Sequence, residues 1–165
     1  MKNCILFIFV LFIVSCSQNS LEVPQTSEES LNKIDRKSSI DKSKGNYLEV
    51  AGNKEFVSNI YFEFDKYSLD ENGLKLIKSN ALKLLKLKSN IKIKLEGNSD
   101  EFGTDEYNYA LALKRAKSVK DILVKNGIKA SSITIFSYGE INPVCKDKTK
   151  GCWSKNRRVE HKLIP

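Results

Sequence analysis

The sequence is short of the residues that carry metal and nucleophilic chemistry, with one histidine and four cysteines in 165 residues. Cys4 and Cys16 fall at the N-terminus, so a folded domain has only Cys145, Cys152 and His161 to draw on. That set matches no zinc-ligand spacing. No Ser-His or Cys-His pair stands out, and no dyad of acids in contrasting surroundings. No metal, no cofactor, no catalytic residue and no enzymatic activity are therefore expected. His161 alternates with apolar neighbours, the setting of a structural histidine rather than a base or a ligand. Long apolar runs are missing too. The longest covers residues 5–14, well short of the ~20 residues of a membrane-spanning helix.

That run has the form of a signal-peptide core. Lys2 precedes it, and it ends in Ile13-Val14-Ser15-Cys16, which resembles a bacterial lipobox, where the cysteine is lipidated and becomes the first mature residue. An ordinary signal peptide with a chance cysteine is the alternative, but its cleavage site wants small residues at both −1 and −3, and Ile13 is a poor fit. Residues 1–15 are expected to be a lipoprotein signal peptide, with Cys16 carrying the acyl chains. Ser17, in place of an aspartate, favours sorting to the outer membrane, with the rest of the chain facing the periplasm.

Residues 16–57 then read as a lipidated start and a flexible tether. Ser, Asn, Lys and Glu dominate, seven acids nearly balance six bases over 17–57, and Leu31, Ile34 and Ile40 sustain no period. A coil of that length has an r.m.s. span of roughly 35–40 Å, enough to hold a domain at a variable distance from a membrane. A short amphipathic helix over 28–41 is the alternative.

A folded domain is expected over 58–165. In the strand-like segment 59–65, Ile60, Phe62 and Phe64 share one face, Tyr61 and Glu63 the other, and Asp65 closes the strand. Ser68-Leu69-Asp70-Glu71 has the form of a capping box and predicts a helix to about residue 88 that buries Leu74, Ile77, Ala81, Leu84 and Leu85. A second strand buries Ile91, Ile93 and Leu95. A second long helix over 105–126 packs Tyr109, Ala112, Ala116, Val119 and Leu123, with Gly127 at its C-cap. Strands over 132–138 and 158–164 follow. The order β-α-β-α-β-β implies an α+β domain, a mixed four-stranded sheet with both long helices on one face. The formal net charge of +8 falls here, with 21 bases against 13 acids from residue 58. A basic surface can serve nucleic acid, but an exported chain does not meet it. Attraction to an anionic wall or to lipid head groups is adequate.

The stretch 97–119 joins the second strand to the second long helix. It places Asp100 where the strand ends and Gly103 in the turn; Thr104 or Asp105 can cap the helix, and Arg115 lies about three turns along it. A carboxylate at a strand mouth, a helix N-terminus and a nearby guanidinium suit a small ligand carrying both an ammonium and a carboxylate. The pattern Gly97-x-x-Asp100-x-x-Gly103-x-x-x-x-Asn108-x-x-Leu111-x-x-x-Arg115-Ala116-x-x-Val119 resembles the signature of the peptidoglycan-binding domain shared by the C-terminal half of outer membrane protein A and the peptidoglycan-associated lipoproteins. Tyr61-Phe62-Glu63-Phe64-Asp65, Ser137-Tyr138-Gly139 and Asn156-Arg157-Arg158 support it, so the resemblance covers about residues 58–164 in order. One position departs: two residues before the aspartate, where the family has histidine, stands Asn98, which keeps a hydrogen bond but no titrating charge.

The resemblance implies an OmpA-like domain that binds peptidoglycan without chemistry, through the diaminopimelate of the stem peptide. The ligand ammonium would face Asp100. Its carboxylate would face Arg115 and the amides at the helix start. Asn108 would line the pocket, with Asp65, Gly103 and Thr104 around it and Arg157 on the rim. The resemblance also implies Tol-system partners, TolB first, and a link between outer membrane and cell wall that matters in division. Another OmpA-like envelope lipoprotein outside that system is the first alternative and an enzyme acting on peptidoglycan the second; a stator or porin-attached relative would be preceded by a transmembrane helix or a barrel, and neither is expected here. Neither Asp100 nor Arg115 is expected to fill core volume. Cys145 and Cys152 bracket a short loop and would pair in an oxidising periplasm, which stabilises by roughly 2.5 kcal/mol on the chain-entropy model. Two free buried thiols are the alternative there.

Overall fold

A β-hairpin stands where composition predicts only tether. The computed structural model describes residues 44–87 and 91–164. Its first elements, β1 (Gly45–Val50) and β2 (Asn53–Ser58), pair antiparallel. The two turn residues, Ala51 and Gly52, both take positive φ, the twist that lets a two-residue loop close a hairpin. Leu48 and Val57 drop into the core, and the buried amide of Asn80 clamps Ser58 by donating to its carbonyl at 2.8 Å and accepting from its N–H at 3.1 Å. The domain therefore begins at least as early as Gly45, not at Ser58. The hairpin buries so few apolar side chains that its lysines, glutamates and asparagines dominate the composition and disguise two strands as coil. The signal peptide, Cys16 and the earlier part of the tether, with its alternative helix over 28–41, lie outside the described residues.

Next come β3 (Ile60–Tyr61), α1 (Glu71–Lys86), β4 (Lys92–Gly97), α2 (Asp105–Lys125), a 3-10 turn at Ala130–Ser132, β5 (Ile133–Ser137), α3 (Lys150–Asn156) and β6 (Arg158–Ile164). The four-stranded sheet runs β3-β6-β4-β5; β4 and β5 are parallel, and β6 is antiparallel to β3 and β4. This is the expected mixed α+β sheet with two long helices on one face. Since β3 and β4 both oppose β6, they point the same way, and the loops that follow them open on one edge. Ile60, Phe62, Ile77, Leu84, Ile93, Leu95, Val119, Leu123 and Val159 fill the core between helices and sheet. At the end of β4 the layers almost touch. A Cβ added at Gly97 would lie 2.0 Å from the Ala112 carbonyl oxygen, so only glycine lets α2 rest there.

Several details differ from the sequence pattern. The first sheet strand stops at Tyr61. Phe62 is buried, its N–H bonded to the Arg157 carbonyl, but the chain then leaves the sheet; Phe64 is 56% exposed and Asp65 takes φ 58°. Asp70 rather than Ser68 caps α1, accepting from the Gly73 N–H at 2.7 Å. Leu74, Leu85 and Tyr109 are exposed, because α1 turns Ile77, Asn80, Ala81 and Leu84 inward and α2 turns Asn108, Ala112, Arg115 and Ala116 inward. The short α3 was not expected at all; seven residues are too few to show a period. Cys145 and Cys152 form a disulfide that leads into it.

His161 lies fully buried on β6 opposite Leu95, and neither ring nitrogen has a hydrogen-bond partner. Burial pushes its pKa down to about 4, against a smaller upward pull from Glu160. The unfolded chain thus binds this proton first as pH falls. The stability that neutral His161 contributes is complete above pH ~6.5 and is lost as pH drops toward about 4, a loss of roughly 3 kcal/mol in all. Glu160 is held below its ordinary range, so its own contribution fails only at lower pH than the first part of this window. Urea unfolding from pH 7 to 5 should therefore show a falling free energy that His161→Leu flattens. A wild-type curve with no slope between pH 6.5 and 5 would contradict this assignment.

Candidate ligand-binding site

The loops after β3 and β4 meet at the N-terminal half of α2, and one side chain holds them together. Arg115 is completely buried. Its Nε donates to the Lys66 carbonyl at 2.8 Å and its Nη2 to the Glu63 carbonyl at 3.2 Å, both in the loop after β3. Its Nη1 donates to the Asn98 carbonyl at 3.1 Å and to Ser99 Oγ at 3.3 Å, both after β4. The guanidinium also lies 5.4 Å from the centre of the Phe62 ring. Burial lowers its pKa to about 10; Asp100 pulls upward against this, Arg157 adds to the lowering, and Asp65 and Tyr107 pull upward. It stays a cation at neutral pH. The expectation that Arg115 fills no core volume is wrong: helical spacing put it beside Ala112 and Ala116, which α2 turns fully inward.

Asp100 is also buried, and Arg157 Nη1 donates to its Oδ2 at 2.9 Å. Arg157 is fixed in turn by Nε donating to the Phe62 carbonyl at 3.0 Å, yet its side chain keeps some exposure. Asp65, on the loop after β3, accepts a hydrogen bond from the Tyr107 hydroxyl, which raises the tyrosine pKa. Thr104 caps α2, its Oγ1 accepting from the Tyr107 N–H. Gly103 precedes it at φ 112°, a conformation that favours glycine, and a Cβ there would lie 3.6 Å from both amide atoms of Asn108. Asn108 is fully buried; its Nδ2 donates to Glu140, while its Oδ1 has no partner. The carboxylates of Asp100 and Asp65 and the guanidiniums of Arg115 and Arg157 thus gather beside the start of α2, an arrangement that offers both signs of charge to a zwitterionic group.

Asn98 takes no part in the rim. Its side chain is buried, donating to the Glu96 carbonyl at 3.0 Å and accepting from Asn142 Nδ2 at 3.0 Å. Arg158, next to Arg157 in sequence, is fully buried, with Nε and Nη2 both donating to Glu160 Oε1. Sequence reasoning passed over Tyr107, Ser99, Glu140 and Glu101. The last ties the site to the disulfide loop, accepting from Lys148 Nζ at 2.8 Å and from Trp153 Nε1 at 2.9 Å. Lys148, and then Trp153, hold the Glu101 carboxyl below its ordinary range. Only Tyr107, one turn into a capped helix beside the site aspartates, left a signal that sequence could have used. A groove of about 460 Å³ opens beside the cluster, lined by Phe62, Glu63, Ser68, Leu76, Lys155 and Arg157.

This fold, with a charge-paired loop cluster at one sheet edge, is that of an OmpA-family domain. The OmpA family model matches residues 61–157, more than half of the chain, and the chain belongs to that family. Among individual relatives, it is 40% identical over 104 residues to the peptidoglycan-associated lipoprotein of Pseudomonas putida, covering 63% of this chain and 61% of that protein. It is 38% identical over 102 residues to the protein of the same name from Pasteurella multocida, covering 62% and 67%. The chain thus spans about 61% of the length of the first of these. The crystal structure of the peptidoglycan-associated lipoprotein from Burkholderia pseudomallei superposes with a TM-score of 0.60 at 34% identity, covering 64% of this chain and 89% of that one. The C-terminal domain of Helicobacter pylori MotB gives 0.62 at 24% identity over 66% and 85%, a likeness of fold. Among the described residues no helix is long and apolar enough to cross a membrane.

The geometry separates bracing from contact. Arg115→Ala removes a buried cation with its four hydrogen bonds and takes from the Lys66 and Asn98 carbonyls the donor that satisfies them, so it should destabilise the domain by ~3 kcal/mol or more. Arg115→Lys should recover only part, because one ammonium cannot span both loops. Thermal melts check this; a melting temperature within ~2 °C of wild type for Arg115→Ala would refute the bracing role.

Proposed function

We propose that this chain is an outer-membrane lipoprotein whose domain grips peptidoglycan non-covalently, through the diaminopimelate of the stem peptide. It acts as a binding domain, not as an enzyme. The observation that carries the reading is the charge-paired cluster of Asp100, Arg157, Arg115 and Asp65, gathered by an OmpA-family fold from the positions that the family pattern marks. Relatives at 34–40% identity named as peptidoglycan-associated lipoproteins support it.

In this reading the ligand ammonium takes a place on the Asp100 carboxylate. Its carboxylate meets Arg157, whose Nε is held on Phe62 while the rest of its fork keeps some exposure. Arg115 contributes a fixed positive charge from behind; four of its five N–H groups are already bonded to protein. The capped N-terminus of α2 adds its dipole on the same side. Asn108 Oδ1 and the Asp65–Tyr107 pair bound the pocket. Acyl chains on Cys16 would hold the protein in the outer membrane with this domain in the periplasm. The family resemblance extends the proposal to TolB and other Tol proteins as partners during division.

Two measurements test it. Co-sedimentation with purified sacculi, with and without free diaminopimelate, should show binding that the free amino acid competes away. Asp100→Ala should weaken it by ~30-fold or more, since removing one partner of a desolvated charge pair costs about 2–5 kcal/mol. Sedimentation of Asp100→Ala like wild type would show that the ligand sits elsewhere. Mass spectrometry of the mature N-terminus should find an acylated Cys16; an unmodified terminus at another residue would remove the anchor from the proposal.

A further inference from the structure

Three aromatic rings line up beside the charge cluster, and nothing in the site so far uses them. Phe64 precedes Asp65, Phe102 follows Asp100 by two positions, and Trp153 lies on α3 shortly before Arg157. Phe102 is the middle ring. Its centre is 5.8 Å from that of Phe64 at 84° and 4.8 Å from that of Trp153 at 74°. Phe64 and Phe102 are 56% and 43% exposed. Edge-to-face contacts of this kind satisfy the rings among themselves while leaving apolar, π-rich surface to solvent. The row is also fixed in place: Trp153 Nε1 is bonded to Glu101, Glu101 to Lys148, and Trp153 adjoins the disulfide-bonded Cys152.

We propose that Phe64, Phe102 and Trp153 form a ledge on which a pyranose ring of the glycan strand stacks while the attached stem peptide occupies the Asp100–Arg157 site. The proposal rests on the peptidoglycan-binding reading and adds the sugar as a second element of the same ligand. A pyranose presents one face of weakly positive C–H groups, which complements the negative face of an aromatic ring. Its edge carries hydroxyls, and the ledge is bordered by Glu101, Lys148 and Asp65, all able to hydrogen-bond them. Those charges argue against the other use of exposed aromatics, insertion into a bilayer, because Asp65 and Glu101 would have to leave water with the rings. Rigid aromatic contacts also cost little ordering on binding.

Trp153 is the one tryptophan of the sequence, so its emission reports on the ledge directly. The experiment uses the purified full chain and two ligands: a diaminopimelate-containing disaccharide-tetrapeptide, and the same peptide freed of its sugars by an amidase. The wild type should bind the sugar-bearing ligand about three- to tenfold more tightly, the scale of one aromatic contact. Trp153 emission should shift with the sugar-bearing ligand and not with the bare peptide. Phe102→Ala, at an exposed position, should erase the difference while leaving affinity for the bare peptide unchanged, and Phe102→Tyr should keep it. Equal affinities in the wild type, or a sugar preference indifferent to Phe102→Ala, would overturn the ledge and leave the peptide site standing. Binding of neither ligand would overturn both. Phe102-dependent binding to anionic lipid vesicles without any sugar preference would reject the glycan in favour of a membrane.

Discussion

A fully buried guanidinium holds the working end of this domain together. Arg115 spends four of its N–H groups on the segments after β3 and β4, and no shorter or more flexible cation reaches both. The arrangement depends on two features of α2. Gly97 lets the helix settle against the end of β4, and the small Ala112 and Ala116 flank the arginine so that it enters the core edge-on. A buried cation is costly unless its surroundings compensate it. Here the compensation is mostly carbonyl dipoles, with Asp100 and Asp65 acting through space. Once Arg115 is fixed the two loops have one arrangement, and with it Asp100, Asp65 and the backbone that positions Arg157 are fixed too.

That frame separates two roles which a motif cannot distinguish. In a pattern, Asp100 and Arg115 read as an acid and a base facing one ligand. In the fold, the arginine in contact with Asp100 is Arg157, from the far end of the chain, and Arg115 stands behind. Asp100 therefore feels two cations, Arg157 in direct contact and partly exposed, and Arg115 fully buried. On the proposed binding mode an incoming ammonium would compete with Arg157 alone, whereas the field of Arg115 would persist whatever binds. Exchanging one ion pair for another in this mode would favour a ligand with both signs, since an ammonium without a carboxylate would leave Arg157 unpaired.

How much of this was legible in the sequence follows from where the information is stored. Alternation in β4, β5 and β6 and the helical stripe of α2 are repeated local signals, and they gave the sheet, the helices and the placing of Asp100, Gly103 and Thr104. The β1–β2 hairpin was hidden because its core contribution rests on so few side chains, Leu48 and Val57 chief among them, in a polar context. Phe64 alternated correctly and is nevertheless exposed, because the carbonyls of Glu63 and Lys66 are drawn out of the sheet to meet Arg115. Asn98 illustrates the converse. The departure from histidine looked like a change to the rim, yet its side chain faces Glu96 and Asn142 inside the fold. Tertiary hydrogen bonds of this length in sequence leave no periodic trace.

The hairpin also sets where the chain enters the domain relative to the charge cluster. The chain enters through Lys44, whose carbonyl accepts from the Asn59 N–H, and β1 reaches β6 where Asn46 donates to the His161 carbonyl. The site lies at the opposite end of β6, where Arg158 pairs with Tyr61 and Val159 with Gly97. The base of the hairpin, where Gly45 pairs with Ser58, lies directly before β3 and the loop that Arg115 braces. β3 is only two residues long and joined directly to the Phe62–Lys66 loop, so the β1–β2 ladder and the Asn80 clamp on Ser58 secure the chain just ahead of it. The hairpin thus ties the start of the domain to α1 through Asn80 and to β6 through Asn46 before the chain reaches the charge cluster.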